Sequence, residues 1–139
     1  MELFKKIAYE DLNARQKENY NFHKISAVLA DYGFTTLRLS DDWQGADFIA
    51  QHIDGRQFLK VQLKGRLFFA KKYLEKDLYI AFRDDNYWYI YPHDDLFREV
   101  TKISKIEESE SWKKAGEYHF PSVPENILEI LKKYMRESD

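Results

Sequence analysis

The sequence predicts an α+β protein with a central mixed β-sheet of four or five strands flanked by helices. Three observations support this fold class. Apolar residues recur at helical spacing in one long N-terminal segment and again near the C-terminus. Between them, short runs alternate polar and apolar residues and are bounded by turn residues, which is typical of strands. The resulting order of helix, strand, hairpin, strand, strand and helix suits helices packed on one central sheet.

Length and composition limit the class of protein. The chain has 139 residues, which predicts a single domain over 1–139 that is large enough for a real core. Hydrophobic residues make up 44% and aromatic residues 17%, so a disordered chain is excluded. The absence of cysteine excludes a disulfide scaffold and a cysteine nucleophile. No run reaches the roughly 20 apolar residues of a membrane helix, and the N-terminus lacks an apolar signal core. We therefore expect a cytoplasmic protein without membrane contact.

Two helices are the most clearly patterned elements. The first is predicted over 14–32, because Phe22, Ile25 and Leu29 form one apolar stripe and Gly33 follows as a terminator. The last is predicted over 124–136, with a capping box formed by Ser122 and Glu125. A short helix is expected over 93–101. Further strands are expected over 35–40, 78–82 and 87–91, and residues 67–70 either extend a strand or begin a turn.

The segment 45–66 reads as two strands joined at Asp54–Gly55, a pair that favours a two-residue hairpin loop. Asp47 stands near the start of the first strand, while Gln62 and Lys64 stand near the end of the second. Because paired antiparallel strands run in opposite directions, these three side chains should meet at one end of the hairpin. The alternation places Leu59, Val61 and Leu63 on the core face, and Phe58, Lys60, Gln62 and Lys64 on the other.

Charge is unevenly distributed around this hairpin. The net charge is only −2, from 22 basic and 24 acidic residues, which argues against a strongly basic nucleic-acid coat. Residues 56–72 nevertheless contain six basic residues and no acid, whereas 40–54 contain four aspartates and no base. An acidic patch folded against a basic one suits a metal beside a phosphate. The alternative is a set of ordinary surface ion pairs.

Other chemistries have weaker signals. The four histidines show no metal-ligand spacing, and the five glycines form no phosphate-binding loop. His93 can serve as a base or a phosphate contact, or it can cap the helix that follows it. The tyrosines of strand 87–91 can stack nucleic-acid bases, or form part of the core or a subunit contact.

The order of these elements and motifs resembles the PD-(D/E)XK nuclease superfamily. The matching pieces are Glu18 in the first helix, Asp47 in GADFIA, and Gln62-Leu63-Lys64 in FLKVQLKGR. The resemblance covers about 14–66 and depends on a short motif in the right structural context. It implies a restriction-endonuclease-like core and a Mg²⁺- or Mn²⁺-dependent endonuclease, a phosphodiesterase acting on nucleic acid, with DNA favoured over RNA.

The resemblance also implies roles for individual residues. Asp47 is the expected metal ligand, assisted by the Gln62 side chain and the backbone carbonyl of Leu63. Glu18 is a further ligand or a water-positioning group, unless it only caps its helix. Lys64 orients or activates the attacking water, or stabilises charge on the phosphate.

Three further residues are expected to bind the substrate, and two positions depart from the family pattern. Lys60 and Arg66 should line the rim of the cleft, and His93 should contact the nucleic acid. Gln62 stands where the pattern has an acid, which removes one negative charge from the metal site. Ala46 stands where the pattern has proline. The alternatives to a nuclease are therefore a catalytically silent nucleic-acid-binding protein of the same fold, and a homodimeric interaction protein that uses its tyrosine face.

Overall fold

The structure is a computed structural model that describes residues 2–136. Its helices are α1 (Ala14–Asp31), α2 (His93–Thr101), α3 (Glu110–Ala115) and α4 (Glu125–Leu131). Its strands are β1 (Phe34–Trp43), β2 (Ala46–His52), β3 (Phe58–Leu63), β4 (Leu67–Ala70), β5 (Leu78–Asp84), β6 (Tyr87–Pro92), β7 (Glu117–Phe120) and β8 (Met135–Arg136). Short 3₁₀ segments cover Tyr9–Asp11, Lys71–Tyr73, Ile106–Glu108 and Lys132–Tyr134.

The main sheet confirms the predicted fold class. Within residues 2–136 it has six strands in the order β1-β2-β3-β5-β6-β8. The β3–β5 pair is parallel and the other pairs are antiparallel, so the sheet is mixed. The prediction of four or five strands was too low because β8 adds a short edge strand beside β6. A second, two-stranded sheet pairs β4 with β7.

Helix α1 covers one face of the main sheet. It begins with a capping box in which the Asn13 side chain accepts from Gln16 N at 2.8 Å and the Gln16 side chain accepts from Asn13 N at 2.9 Å. Its buried side chains are Phe22, Ile25, Val28 and Leu29. They pack with β2, β3, β5 and β6 residues that include Phe48, Val61, Ala81 and Trp88. Because Asn13 caps the helix, capping is not the role of Glu18.

The β2–β3 hairpin has the predicted register but a wider turn. Gln51 pairs with Phe58, so the hairpin is centred on Asp54 and Gly55. The prediction of a two-residue loop was wrong. His52 O accepts from Gly55 N at 3.1 Å, and Asp54 Oδ1 accepts from the backbone N–H of Arg56 at 2.8 Å. The aspartate side chain thus closes a longer turn, which the residue pair alone did not reveal.

The opposite face of the sheet is covered by the remaining elements, which confirms the core alternative for the β6 tyrosines and overturns the alternatives of base stacking and a subunit contact. Tyr89 and Tyr91 are buried in a core shared with β4, α2 and α4. The Tyr91 hydroxyl donates to Phe68 O at 2.6 Å. Buried tyrosines cannot form a homodimer interface or stack bases, and only Tyr87 of that row remains exposed.

The C-terminal helix differs from expectation. The C-terminal helix ends at Leu131 and not at 136, since the chain turns through a 3₁₀ segment into β8. Its predicted capping box does not form, because Pro124 occupies the cap position without a side-chain bond. Near the N-terminus, three large apolar side chains, Leu3, Phe4 and Ile7, are exposed. Within residues 2–136, no helix is both long enough and apolar enough to cross a membrane.

Two phenylalanines of the hairpin allow a matched test of this packing. Phe48 is fully buried and meets the Phe22 ring edge-on at 5.3 Å, whereas Phe58 is 59% exposed. We expect Phe48→Ala to lower the free energy of unfolding by about 3–5 kcal/mol, because it removes a large side chain from the α1 core. Phe58→Ala should change it by about 0.5 kcal/mol or less. Urea unfolding followed by circular dichroism measures both, and equal effects would contradict the fold.

Candidate active site

An open cleft of about 530 Å³ lies between the first turns of α1 and the adjoining ends of β2 and β3. It brings together five of the residues selected from the sequence: Glu18, Asp47, Gln62, Leu63 and Lys64. The other lining residues are Ala14, Lys17, Asn21, Phe22, Arg38, Leu39 and Gly65. Residues from four separate segments of the chain therefore meet at one end of the hairpin.

Strand register and one hydrogen bond fix the position of Asp47. Phe48 pairs with Val61, which sets Asp47 beside Gln62 on the neighbouring strand. The Asp47 carboxylate accepts from Leu63 N at 2.8 Å. Lys64 N then donates to Ala81 O of β5 at 2.9 Å. The end of β3 is thus held from both sides.

The turn before β2 also constrains the site, and it requires glycine at position 45. Gly45 has φ +91°, and a Cβ there would lie 3.0 Å from a ring carbon of Tyr73. The Asp42 side chain accepts from Gly45 N at 2.7 Å. Tyr73 and Asp42 are therefore packed against the backbone that leads directly into Asp47.

Asp47 is held in an environment that disfavours its charge. Burial raises the pKa of the Asp47 carboxyl above its ordinary value of 3.8. The hydrogen bond from Leu63 N and the charge of Lys64 offset this effect only in part. The carboxylates of Asp42 and Glu18 act in the same direction as burial. A cation at this point would relieve the repulsion among the acids.

Lys64 lies between the acids and a group of aromatic rings. Its Nζ is 4.3 Å from the Phe68 ring centroid and 5.7 Å from that of Tyr73. Burial lowers the pKa of the Lys64 amine, with a further contribution from Lys72, while Asp47 opposes this shift. The result is a half-buried cation fixed at the end of the cleft and not a freely mobile surface lysine.

Glu18 and Gln62 present oxygen atoms with few competing partners. Within residues 2–136, the Glu18 carboxylate forms no hydrogen bond or ion pair, although it lies close enough to raise the pKa of Asp47. The Gln62 side-chain amide makes one long contact, 3.4 Å to Leu63 O. Both side chains are therefore available to a ligand in the cleft.

The three residues predicted to bind substrate lie outside the cleft lining. Lys60 donates to Lys76 O and to the Gln44 side chain, and its Nζ is 5.6 Å from the Trp43 ring centroid. Arg66 lines a separate cavity of about 200 Å³ with Arg83 and other residues.

His93 has a structural environment and not a substrate-facing one. It is fully buried, its Nε2 accepts from Ala70 N at 3.1 Å, and its Nδ1 lies 2.9 Å from Asp94 Oδ1. Burial lowers the pKa of this histidine below its ordinary value. The expectation of a substrate contact fails because the ring links α2 to β4, and we leave His93 out of the site.

Sequence reasoning missed two basic residues of the cleft and one tyrosine beside it. Arg38 and Lys17 add positive charge to the lining, and the Arg38 guanidinium lies 5.2 Å from the Phe22 ring centroid while bonded to Asn19. Burial, with nearby Asp47 and Asp42, raises the pKa of Tyr73 to about 12, so its hydroxyl stays protonated. The basic residue in β1 was visible as a polar break in TTLRLS, but nothing local marked Tyr73.

The donor set suits a hard divalent cation. Among the described residues, no group of three or more histidine or acidic side chains is placed to hold a metal ion. Asp47 and Glu18 supply two carboxylates, and Gln62 and the Leu63 carbonyl supply neutral oxygens. Mg²⁺ commonly uses one or two protein carboxylates and keeps several waters, so this all-oxygen set fits it.

The strain on Asp47 can be tested by comparison with Asp54. A folded-state pKa above the unfolded value means that ionised Asp47 opposes folding once the pH exceeds about 3.8. Asp47→Asn should therefore raise the urea midpoint at pH 7 in a chelating buffer, and this gain should disappear below pH 3.8. The effect of ionised Asp54 on stability has the opposite sign, because hydrogen bonds from Arg56 and Gln57 lower the pKa of its carboxyl. Asp54→Asn should lower the urea midpoint at pH 7. A lower midpoint in both variants would contradict the raised pKa of Asp47.

Comparison with known proteins gives weak similarity to solved structures and no sequence match. No protein-family model matches the chain, and no curated protein matches it. The chain is similar to a solved structure of Archaeoglobus fulgidus Hjc, a Holliday junction resolvase from an archaeal hyperthermophile. The identity is 19%, the TM-score is 0.46, and the match covers 56% of this chain and 74% of that chain. The candidate site therefore depends on the geometry of this chain itself.

Proposed function

We propose that this protein is a metal-dependent nuclease that hydrolyses phosphodiester bonds in nucleic acid. The observation that carries the proposal is the Asp47 carboxylate, anchored on Leu63 N in a cleft that also contains Glu18, Gln62 and Lys64. This is the set of positions that the resemblance to PD-(D/E)XK nucleases selects. A purely structural role does not explain two acids and a lysine gathered around an open cleft.

Each side chain has a role that follows from its place. Asp47 and Glu18 would hold Mg²⁺ or Mn²⁺, with Gln62 and the Leu63 carbonyl as neutral donors. A bound divalent cation supplies charge neutralisation for the phosphate and lowers the pKa of a coordinated water. Lys64 lies over Phe68 and close to Asp47. Its positive charge would stabilise the negative charge that grows on a phosphate bound in the cleft.

The cleft also has groups that suit a nucleic-acid backbone. Lys17 of α1 and Arg38 of β1 line it together with Lys64. A guanidinium can bind a phosphate through two parallel N–H donors, and a lysine binds it as a point charge. Contacts of this kind position a strand without reading its bases, and DNA is the substrate we would test first.

Removing the Asp47 carboxylate tests the assignment. Asp47→Ala should reduce cleavage of plasmid and linear DNA in Mg²⁺ or Mn²⁺ by roughly 10²–10³-fold or more, because one of two available carboxylates is lost. Lys60→Ala is the control, since Lys60 lies outside the cleft lining and should leave the rate within about twofold. Full cleavage activity of Asp47→Ala would show that the nuclease site lies elsewhere.

Variants at positions 62 and 64 distinguish metal binding from turnover. Gln62→Glu should tighten Mg²⁺ binding in calorimetric titration, because a full charge replaces an amide dipole in a half-buried site. Lys64→Ala should retain or slightly tighten metal binding while cleavage stops, since the ammonium serves the phosphate and repels the cation. Failure of every variant, including Gln62→Glu, to bind metal at millimolar concentration would contradict the proposal.

The glutamine at position 62 favours one alternative function, that of a nucleic-acid-binding protein without catalysis. A site with one fewer negative charge can retain the fold and the basic cleft without catalysis. Salt-sensitive binding of nucleic acid with no cleavage in Mg²⁺ or Mn²⁺ would identify the chain as a silent nucleic-acid-binding protein.

A further inference from the structure

A second basic surface lies next to the candidate active site. Four lysines, Lys71, Lys72, Lys113 and Lys114, line an open cavity of about 340 Å³ together with one carboxylate, Glu117. All four lysines are exposed. We call them the lysine cluster. It was not selected from the sequence as a site, because its two halves are more than 40 residues apart.

The fold brings the two halves together through rigid backbone contacts. Ala70 pairs with Glu117 in the β4–β7 sheet, and Lys71 N donates to Gly116 O at 2.8 Å. Gly116 ends α3 with φ +69°, and a Cβ there would lie 3.4 Å from the Lys71 side chain. The lysine cluster is thus held by a glycine cap and a strand pair and is not an accident of flexible loops.

The charge of the lysine cluster is only partly compensated. Lys114 forms an exposed ion pair with Glu110 at 3.1 Å. Within the part of the chain that the structure describes, the other three lysines form no ion pair. Bringing like charges together opposes folding, so a surface that keeps them suits an anionic partner.

One aromatic ring connects the lysine cluster to the cleft. The Nζ of Lys72 lies 5.3 Å from the Tyr73 ring centroid, and that of Lys64 lies 5.7 Å from the same centroid. The two ammonium nitrogens can therefore be no more than about 11 Å apart, roughly three base-pair rises of 3.4 Å. After burial, Lys72 is the next cause of the lowered pKa of Lys64, which agrees with this proximity.

We propose that the lysine cluster is a second contact surface for nucleic acid, which binds backbone phosphates several nucleotides from the bond placed in the cleft. The proposal rests on the proposed nuclease function and extends it to a substrate longer than the cleft. Four exposed point charges spread over an open surface suit a sequence-independent phosphate track. The cluster has no buried polar side chain that would fix a small anion, so a polyanion is the better match.

The test is the salt dependence of duplex binding by Lys113→Gln/Lys114→Gln. These two exposed lysines are in the last turn of α3 and do not line the cleft, so the cleft stays intact. Binding is measured in chelator, without cleavage, on a duplex of roughly 30 base pairs. The slope of log K against log salt should become shallower than that of the wild type by about 1.8, since each phosphate contact contributes ~0.9.

Lys102→Gln/Lys132→Gln is the matched control, because it removes two exposed lysines that line neither the lysine cluster nor the cleft. An unchanged slope in the cluster variant, an equal change in the control, or no duplex binding by the wild type would overturn the inference. Loss of binding to phosphatidylserine vesicles with unchanged duplex binding would also overturn it. If the wild type cuts no substrate but the slopes differ as expected, the nuclease proposal fails while the contact surface is supported.

Discussion

The hydrogen bond from Leu63 N to the Asp47 carboxylate connects the fold to the site. It lies at the end of the β2–β3 pair, where strand pairing gives way to the backbone that continues into Lys64. Beyond it, Lys64 N is tied to β5, so β2, β3 and β5 are joined at this point. An acid that accepts a backbone N–H has a fixed orientation, and the remaining oxygen is free to face the cleft. The geometry of the candidate site therefore follows from sheet register.

Around this bond, the burial that stabilises the fold also disfavours the charged forms of the site residues. Two apolar cores, one under α1 and one under β4 and the C-terminal helices, stabilise both faces of the sheet. At their junction the chain gathers Asp42, Asp47 and Glu18 on one side and Lys64 and Lys72 on the other. Burial opposes ionisation of both Asp47 and Lys64, and such shifts are concentrated where proteins bind or transform ligands. The stability that the two cores provide therefore offsets the cost of holding these charged side chains in partly buried positions.

The parts predicted well from the sequence depend on local periodicity. The α1 stripe and the alternation of β3 gave correct elements, and the hairpin register placed Asp47 beside Gln62. The parts that the sequence left open depend on tertiary contacts. Residues 67–70 form a strand only because Glu117–Phe120 pairs with them, and the tyrosines of β6 became core because β4 and α4 cover them. Arg38 lines the cleft, and Tyr73 packs against Gly45 beside it. The polar break in TTLRLS marked Arg38 without showing which elements it would meet, and no local pattern marked Tyr73.

The most direct test of the account is the location of a bound metal ion. A crystal of the wild-type protein soaked in Mn²⁺ should show one anomalous scattering peak in the cleft, about 2.0–2.2 Å from a carboxylate oxygen of Asp47 and on the side that faces Glu18. Such a peak would show that the acids gathered at the end of the hairpin form a cation site. No peak in the cleft at millimolar Mn²⁺, or a peak bound only by residues outside it, would contradict the central claim.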